Sequence, residues 1–220
     1  MREYAIGNIE KAYGKKGVLR GVSLRVPAGS FVGVLGLNGT GKTTLFNILG
    51  NMDRNFTGEV SLRGKEVAYM RTKLPFPEWR KVKDLLSFYE RFYTFDRKKA
   101  ERMLENTSIR PTARLRAPSA GMQRHLNFIC NFCVDAQVLL LDEPLTNLDL
   151  VFRGFIVESL IERAMEDRII LVATHEIKEF ENLFTHVTVL RDGRLGPLTE
   201  TEALRAQGKS VEDFYGESLL

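Results

Sequence analysis

The chain has 220 residues, 44% hydrophobic and 27% charged, which suits one sizeable packed core and excludes a disordered segment. Its net charge of +4 comes from basic residues interleaved with acids, which argues against a nucleic-acid-binding face and suits a solvated surface or one facing anionic lipid headgroups. The longest apolar runs, such as VLLL at 138–141, fall far short of the ~18 residues of a membrane span, and the opening MREYAIGNIEK carries charge where a signal peptide would be apolar, so a cytosolic location is expected.

From the N-terminus, YAIGNIEKAYG and VLRGVSLRV read as β-strands, with a turn at PAGS. FVGVL at 31–35 is a continuous apolar run of the kind buried on both faces of a parallel sheet. GLNGTGKTT follows, then a short helix in KTTLFNILG that Gly50 ends. The loop matches G-x-x-x-x-G-K-S/T in the strand–loop–helix setting that a phosphate-binding loop requires. Each residue type has a physical reason. Glycines let backbone N–H groups converge on phosphate oxygens, and the helix start adds a dipole that favours anions. Gly36, Leu37, Asn38, Gly39, Thr40, Gly41, Lys42, Thr43 and Thr44 are therefore the expected lining of a nucleotide's phosphates. Lys42 would reach the β- and γ-phosphates, and the Thr43 hydroxyl would bind Mg2+.

Two short strands are expected around GEVSLRG and EVAYM. Val82, Leu85, Leu86, Tyr89, Phe92 and Tyr93 then recur at three- and four-residue spacing, which predicts an amphipathic helix. A second helix is predicted from Arg97 to Asn106 and a third at about 120–134. The third carries the chain's two cysteines, Cys130 and Cys133. A C-x-x-C pair can serve redox or metal chemistry. Here the surrounding LNFICNFCV is apolar at helical spacing, and a zinc site wants two more ligands nearby, so core packing is the better reading. Strand VLLLD, a helix near 151–165, strand IILVAT, a helix near 176–183 and strand VTVLRDG complete the pattern. The expected fold is α/β, with a mostly parallel sheet, an antiparallel β region at the N-terminus and a helical subdomain inserted at about 75–135 of a single domain, 1–220.

VLLLDEP places Asp142 and Glu143 at the C-terminal end of a strand, where open α/β sheets bind ligands. Asp142 can join a Mg2+ shell, and Glu143 is suited to polarising an attacking water. Paired with the phosphate loop, these acids predict a P-loop nucleoside triphosphatase. His175 ends the next strand and could sense or position the γ-phosphate. No N-K-x-D guanine-reading motif is present, which argues against a GTPase.

With these residues the chain resembles, nearly end to end, the ATP-binding subunit of ABC transporters. Tyr13 in KAYG resembles the aromatic that stacks on adenine in that family. PSAGMQRHL at 118–126 sits where the family has its L-S-G-G-Q signature, with Ser119 placed 23 residues before Asp142. TNLD at 146–149, ending in Asp149, is similar to the loop that follows the catalytic glutamate and joins two subunits. The resemblance implies a Mg2+-dependent ATPase with Glu143 and His175 as catalytic residues. It also implies an ATP-dependent homodimer or heterodimer that sandwiches ATP between the phosphate loop of one subunit and the signature of the other. Ser119, Gly121 and Asp149 are nucleotide-site residues on that ground. A membrane-spanning transporter subunit on another chain is implied as partner, with this chain peripheral on the inner face of the cell membrane and no nucleic acid bound.

Two departures from the family pattern stand out. Pro118, Ala120 and Met122 replace signature residues, while Ser119 and Gly121 remain. In VAYMRTKLPFP, Thr72 falls at or near the place of a glutamine that reaches the metal, the water and the transmembrane partner, so slow hydrolysis is expected of the isolated subunit. These departures suit an alternative, a nucleotide-binding regulator with little turnover; Glu143 and His175 oppose it. Members acting on DNA interrupt the core with long coiled coils, and no sustained heptads occur here. Translation-factor members carry two sets of motifs, and this chain has one. The helical insertion and the closing SVEDFYGESL resemble exporters whose membrane subunits are separately encoded, including those linked to peptide antibiotics, so export is the implied direction.

Overall fold

The computed structural model describes residues 4–61, 67–116, 119–164 and 168–219. The tail of the GEVSLRG strand, the first residue of EVAYM, Pro118 and the end of the helix predicted at 151–165 lie outside them. Two antiparallel strands, β1 (Tyr4–Tyr13) and β2 (Lys16–Val26), open the chain. Next come β3 (Phe31–Leu35), α1 (Lys42–Leu49) and β4 (Thr57–Val60), and β4 pairs with β1 to make a three-stranded sheet in the order β2-β1-β4. This is the antiparallel region expected at the N-terminus.

The second sheet takes β3 together with β5 (Val67–Met70), β6 (Val138–Asp142), β7 (Ile169–Thr174) and β8 (His186–Arg191), all parallel, in the order β8-β3-β7-β6-β5. Two short antiparallel pieces, β9 (Arg194–Leu195) and β10 (Thr199–Glu200), add to β8. Every residue of β3, β6 and β7 is buried. The strand period of two sorts their side chains between two cores. Phe31, Leu35, Leu139, Leu141, Ile170 and Val172 join one core, which also takes in the helices between β5 and β6. Val32, Val34, Val138, Leu140 and Leu171 join the other, with Leu45, Phe46, Ile48 and Leu49 of α1 and the hairpin's Ile6 and Ile9. Cover on both faces is why these strands read as unbroken apolar runs.

Between β5 and β6 lie α2 (Val82–Phe92), α3 (Arg97–Glu105) and α4 (Ala120–Phe132). Asp96 caps α3 by accepting the Lys99 N–H at 2.8 Å, and Ser119 caps α4 by accepting the Met122 N–H at 3.2 Å. Val82, Leu85, Leu86 and Tyr89 of α2 are buried, whereas Phe92 at the end of the same stripe is half exposed on the rim of a groove. Cys130 and Cys133 are buried free thiols, and burial pushes both up, Cys133 to about 12. The Cys133 Sγ sits 3.5 Å from the Met103 Sδ, so the pair fills core space as the apolar spacing implied.

After β6 come α5 (Leu150–Ala164), α6 (Ile177–Phe180), α7 (Thr201–Ala206) and α8 (Val211–Leu219). The helix predicted at 176–183 is a correction: α6 is a single turn, and the chain turns rather than coils over the residues that follow. The C-terminal helices were not anticipated, yet α8 carries a legible start. Ser210 and Asp213 exchange bonds, the Ser210 N–H to Asp213 Oδ2 at 2.9 Å and the Asp213 N–H to Ser210 Oγ at 3.0 Å. This is the S-x-x-D capping box, visible in SVED.

Candidate nucleotide site at the strand ends

Sheet register brings the sequence-predicted residues to one edge. Leu35 of β3 pairs with Thr174 of β7, Ala173 of β7 with Asp142 of β6, and Leu141 of β6 with Met70 of β5. The segments leaving these strands, from Gly36, His175, Glu143 and Arg71 onward, therefore emerge side by side.

The loop between β3 and α1 needs glycine where the chain crowds itself. A Cβ on Gly36 would stand 2.6 Å from the Leu190 carbonyl oxygen. Gly41 has φ 109°, and a Cβ there would meet Leu19 and Val18 at 3.1 Å. Leu37, Asn38 and Gly39 are exposed, Thr40 and Thr44 half-buried, and the Thr40 hydroxyl closes the turn by donating to the Leu37 carbonyl at 2.9 Å. Lys42 opens α1 and is only 6% exposed. Its ammonium folds back over its own loop, donating to the carbonyls of Gly36 at 2.6 Å and Leu37 at 3.2 Å. Burial pushes the Lys42 pKa down, against the opposing pull of Glu143 and Asp142.

Thr43 and Asp142 meet directly, the Thr43 hydroxyl donating to Asp142 Oδ2 at 2.9 Å. Burial pushes the Asp142 carboxyl up, and that hydrogen bond works against the shift. Glu143 sits at φ 50°, a left-handed backbone that costs an L-residue ~1–2 kcal/mol. Its Oε1 lies 3.7 Å from Lys42 Nζ, and its Oε2 lies 2.8 Å from His175 Nδ1 without the alignment of a hydrogen bond. Asp142 Oδ1 and both Glu143 carboxylate oxygens are buried with no donor. Unmet buried acceptors cost about 1–3 kcal/mol each. With the Thr43 hydroxyl, Asp142 offers the hard oxygen donors that suit Mg2+, which takes one or two carboxylates and completes its shell with water and phosphate oxygens.

Other predicted residues lie apart from this cluster. Ser119 caps α4, and a Cβ on Gly121 would stand 3.6 Å from the Asn147 carbonyl, so the start of α4 neighbours the TNLD loop. Asp149 caps α5 by accepting the Phe152 N–H at 3.0 Å, with His125 Nε2 3.7 Å from its other oxygen. Leu150 and Val151 beside it are 82% and 84% exposed. Tyr13 is half exposed at the end of β1; its hydroxyl donates to Asp53 Oδ2 at 3.2 Å, and Lys11 Nζ lies 4.8 Å from its ring centroid. Thr72 is exposed just beyond β5.

Two arginines at the site carried no sequence signal. Arg124 of α4 donates to the Glu143 backbone carbonyl at 2.8 Å. Arg153 of α5 ties the TNLD loop to the segment after His175, donating to the Leu148 carbonyl at 3.2 Å and pairing with Glu176 at 3.0 Å. In the sequence neither differs from a solvated surface arginine; helix placement alone turns them inward.

The family model described as "ABC transporter" matches residues 19–146. Among curated relatives, the daunorubicin resistance ATP-binding protein DrrA3 of Streptomyces coeruleorubidus is 30% identical over 219 residues, 92% of this chain and 69% of the relative. The aliphatic sulfonates import ATP-binding protein SsuB of Pseudomonas fluorescens is 30% identical over 203 residues, 87% of this chain and 75% of the relative. A solved structure described as the ATP binding subunit of an ABC transporter superposes with a TM-score of 0.88 at 22% identity, covering 98% of this chain and 99% of that one, and supports the fold. With the matched family segment covering more than half of it, the chain belongs to the ABC transporter family, as an ATP-binding subunit.

Proposed function

We propose that the protein hydrolyses Mg·ATP at this strand-end site and so drives transport, in the export direction, through a membrane-spanning subunit on another chain. The observation that carries the reading is the convergence of Lys42, Thr43, Asp142, Glu143 and His175 on one sheet edge, with three buried carboxylate oxygens lacking donors. Relatives named for resistance and for import are equally similar to this chain, so direction rests on the exporter-like insertion and C-terminal sequences. Purified protein should release phosphate from ATP with Mg2+ and stop when EDTA is added. Turnover that persists in EDTA would overturn the assignment.

Each role follows from position. Lys42 exchanges the carbonyls of Gly36 and Leu37 for phosphate oxygens, and the N–H groups of the loop from Gly36 to Thr44 cradle the phosphates. Thr43 and Asp142 hold Mg2+, which supplies charge neutralisation on the phosphates when bound. Glu143 takes the proton of the attacking water, and His175, beside its carboxylate, positions the γ-phosphate. Tyr13 offers a stacking face for adenine. Ser119 and Gly121 face the nucleotide of a second subunit across an interface that includes Asp149 and the exposed Leu150 and Val151. Among the described residues no helix is long and apolar enough to cross a membrane. The partner surface we assign is the groove of about 460 Å³ next to Thr72, lined by Tyr69, Leu74, Phe76, Phe88 and Phe92.

Thr72 follows Arg71, which lines that groove, on the segment that leaves the β5 strand end. Its single hydroxyl is shorter than a glutamine amide and hydrogen-bonds only at short range or by way of an ordered water, which organises the attacking water less well. Thr72→Gln in the isolated subunit should raise kcat by about tenfold, equivalent to ~1.4 kcal/mol of transition-state stabilisation, with little change in ATP affinity. An unchanged or lower kcat in steady-state assays would move water positioning elsewhere, with His175 first in line.

A further inference from the structure

Glu143 holds a backbone conformation that side chains other than glycine rarely adopt, at φ 50°. Such a conformation persists where the surroundings over-determine it. Its N–H donates to the Ala173 carbonyl of β7 at 2.8 Å. Its carbonyl accepts from Arg124 Nη1 at 2.8 Å and, more distantly, from the Thr146 N–H at 3.4 Å. The peptide units on both sides of the Glu143 Cα are thus pinned, one by the sheet and one by α4. With both pinned, the exit direction of the side chain is set, toward Lys42 and His175. The bond from Arg124 is the shorter of the two on that carbonyl and the one with a charged donor, which makes it the stronger.

Arg124 is suited to this task and to little else. It lies among Glu143, Asp142 and Glu176, and burial pushes its pKa down while those acids oppose the shift. Its guanidinium bond goes to a main-chain oxygen, which fixes backbone geometry without neutralising the carboxylate that must accept a proton. A lysine at the same place would offer its donors from a single nitrogen on a shorter reach, without the planar fork.

We infer that Arg124 is a positioning residue for hydrolysis, clamping the Glu143 carbonyl so that the strained backbone keeps the carboxylate aimed at the attacking water. This rests on the reading of Glu143 as the general base.

The test uses the full chain carrying Arg124→Met, Arg124→Lys, Glu143→Gln, and each Arg124 change combined with Glu143→Gln. Calorimetry with Mg·ATP gives Kd, phosphate release gives kcat, and thermal melting reports folding. Arg124→Met should lower kcat by about tenfold or more with Kd changed by less than about threefold, the split expected when an interaction serves the transition state alone. Arg124→Lys should lose only about threefold. In the Glu143→Gln background both changes should alter the residual rate by less than about twofold, because their effect runs through the carboxylate. Losses that multiply in the double variants would overturn the proposal, as would a kcat for Arg124→Met near wild type or a parallel loss of Kd and kcat. If Arg124→Met does not fold, Arg124→Lys decides by the same criteria: a threefold fall in kcat absent from the Glu143→Gln background supports the clamp, and any other pattern overturns it. Failure of the underlying reading is separate, since it shows as undiminished kcat in Glu143→Gln itself.

Discussion

Lys42→Ala is expected to abolish measurable Mg·ATP binding while leaving the fold intact. The ammonium is buried at the mouth of α1 and already bonded to two acceptors, the Gly36 and Leu37 carbonyls, which hold it where phosphate oxygens would replace them. Charge-assisted hydrogen bonds contribute ~1.5–3 kcal/mol each. Losing two of them to a polyphosphate therefore weakens Kd by about two orders of magnitude or more. Removing the cation also takes it away from the buried Glu143 and Asp142 carboxylates, so the apo protein should fold but melt at a lower temperature. Calorimetric titration with Mg·ATP measures the effect, and melting of the apo protein checks the fold. An unchanged Kd would remove the loop from the binding site.

The second large effect is expected from Glu143→Gln, which should keep ATP bound and lower kcat by about 10²–10⁴-fold. The amide reproduces the shape of the carboxylate and its place beside His175 but cannot take a proton from water. Backbone anchors to Ala173 and Arg124 are untouched by the change, so the left-handed turn survives. Nucleotide that binds and is not hydrolysed should then hold two subunits together, since the proposed interface closes on ATP. Light scattering of this variant with ATP should report a dimer, and without ATP a shift toward monomer. A strictly monomeric profile with nucleotide demonstrably bound would contradict the sandwich.

Local order was legible in the sequence because local physics sets it. The short apolar run FVGVL, ahead of a glycine-rich loop, suits a strand covered on both faces, and β3 spans those same residues. The three- and four-residue spacing from Val82 to Tyr89 is the contact period of a helix, and α2 buries those positions. Glycines around Lys42 and two acids after VLLL announced phosphate chemistry, because few other tasks need flexible backbone beside a cation or carboxylates at a strand end. β9, β10 and α7 are too short to show a period and went unseen, and α8 went unseen although SVED marks its start. Tertiary structure alone decided who meets whom. Thr43 and Asp142 are 99 residues apart and bonded at 2.9 Å because sheet order places β3, β7 and β6 as neighbours. The same packing turns Arg124 onto the Glu143 carbonyl and sets Ser119 beside the TNLD loop. Periodicity records which face of an element is apolar, and only the packing of those faces against one another sets the distances between remote polar groups.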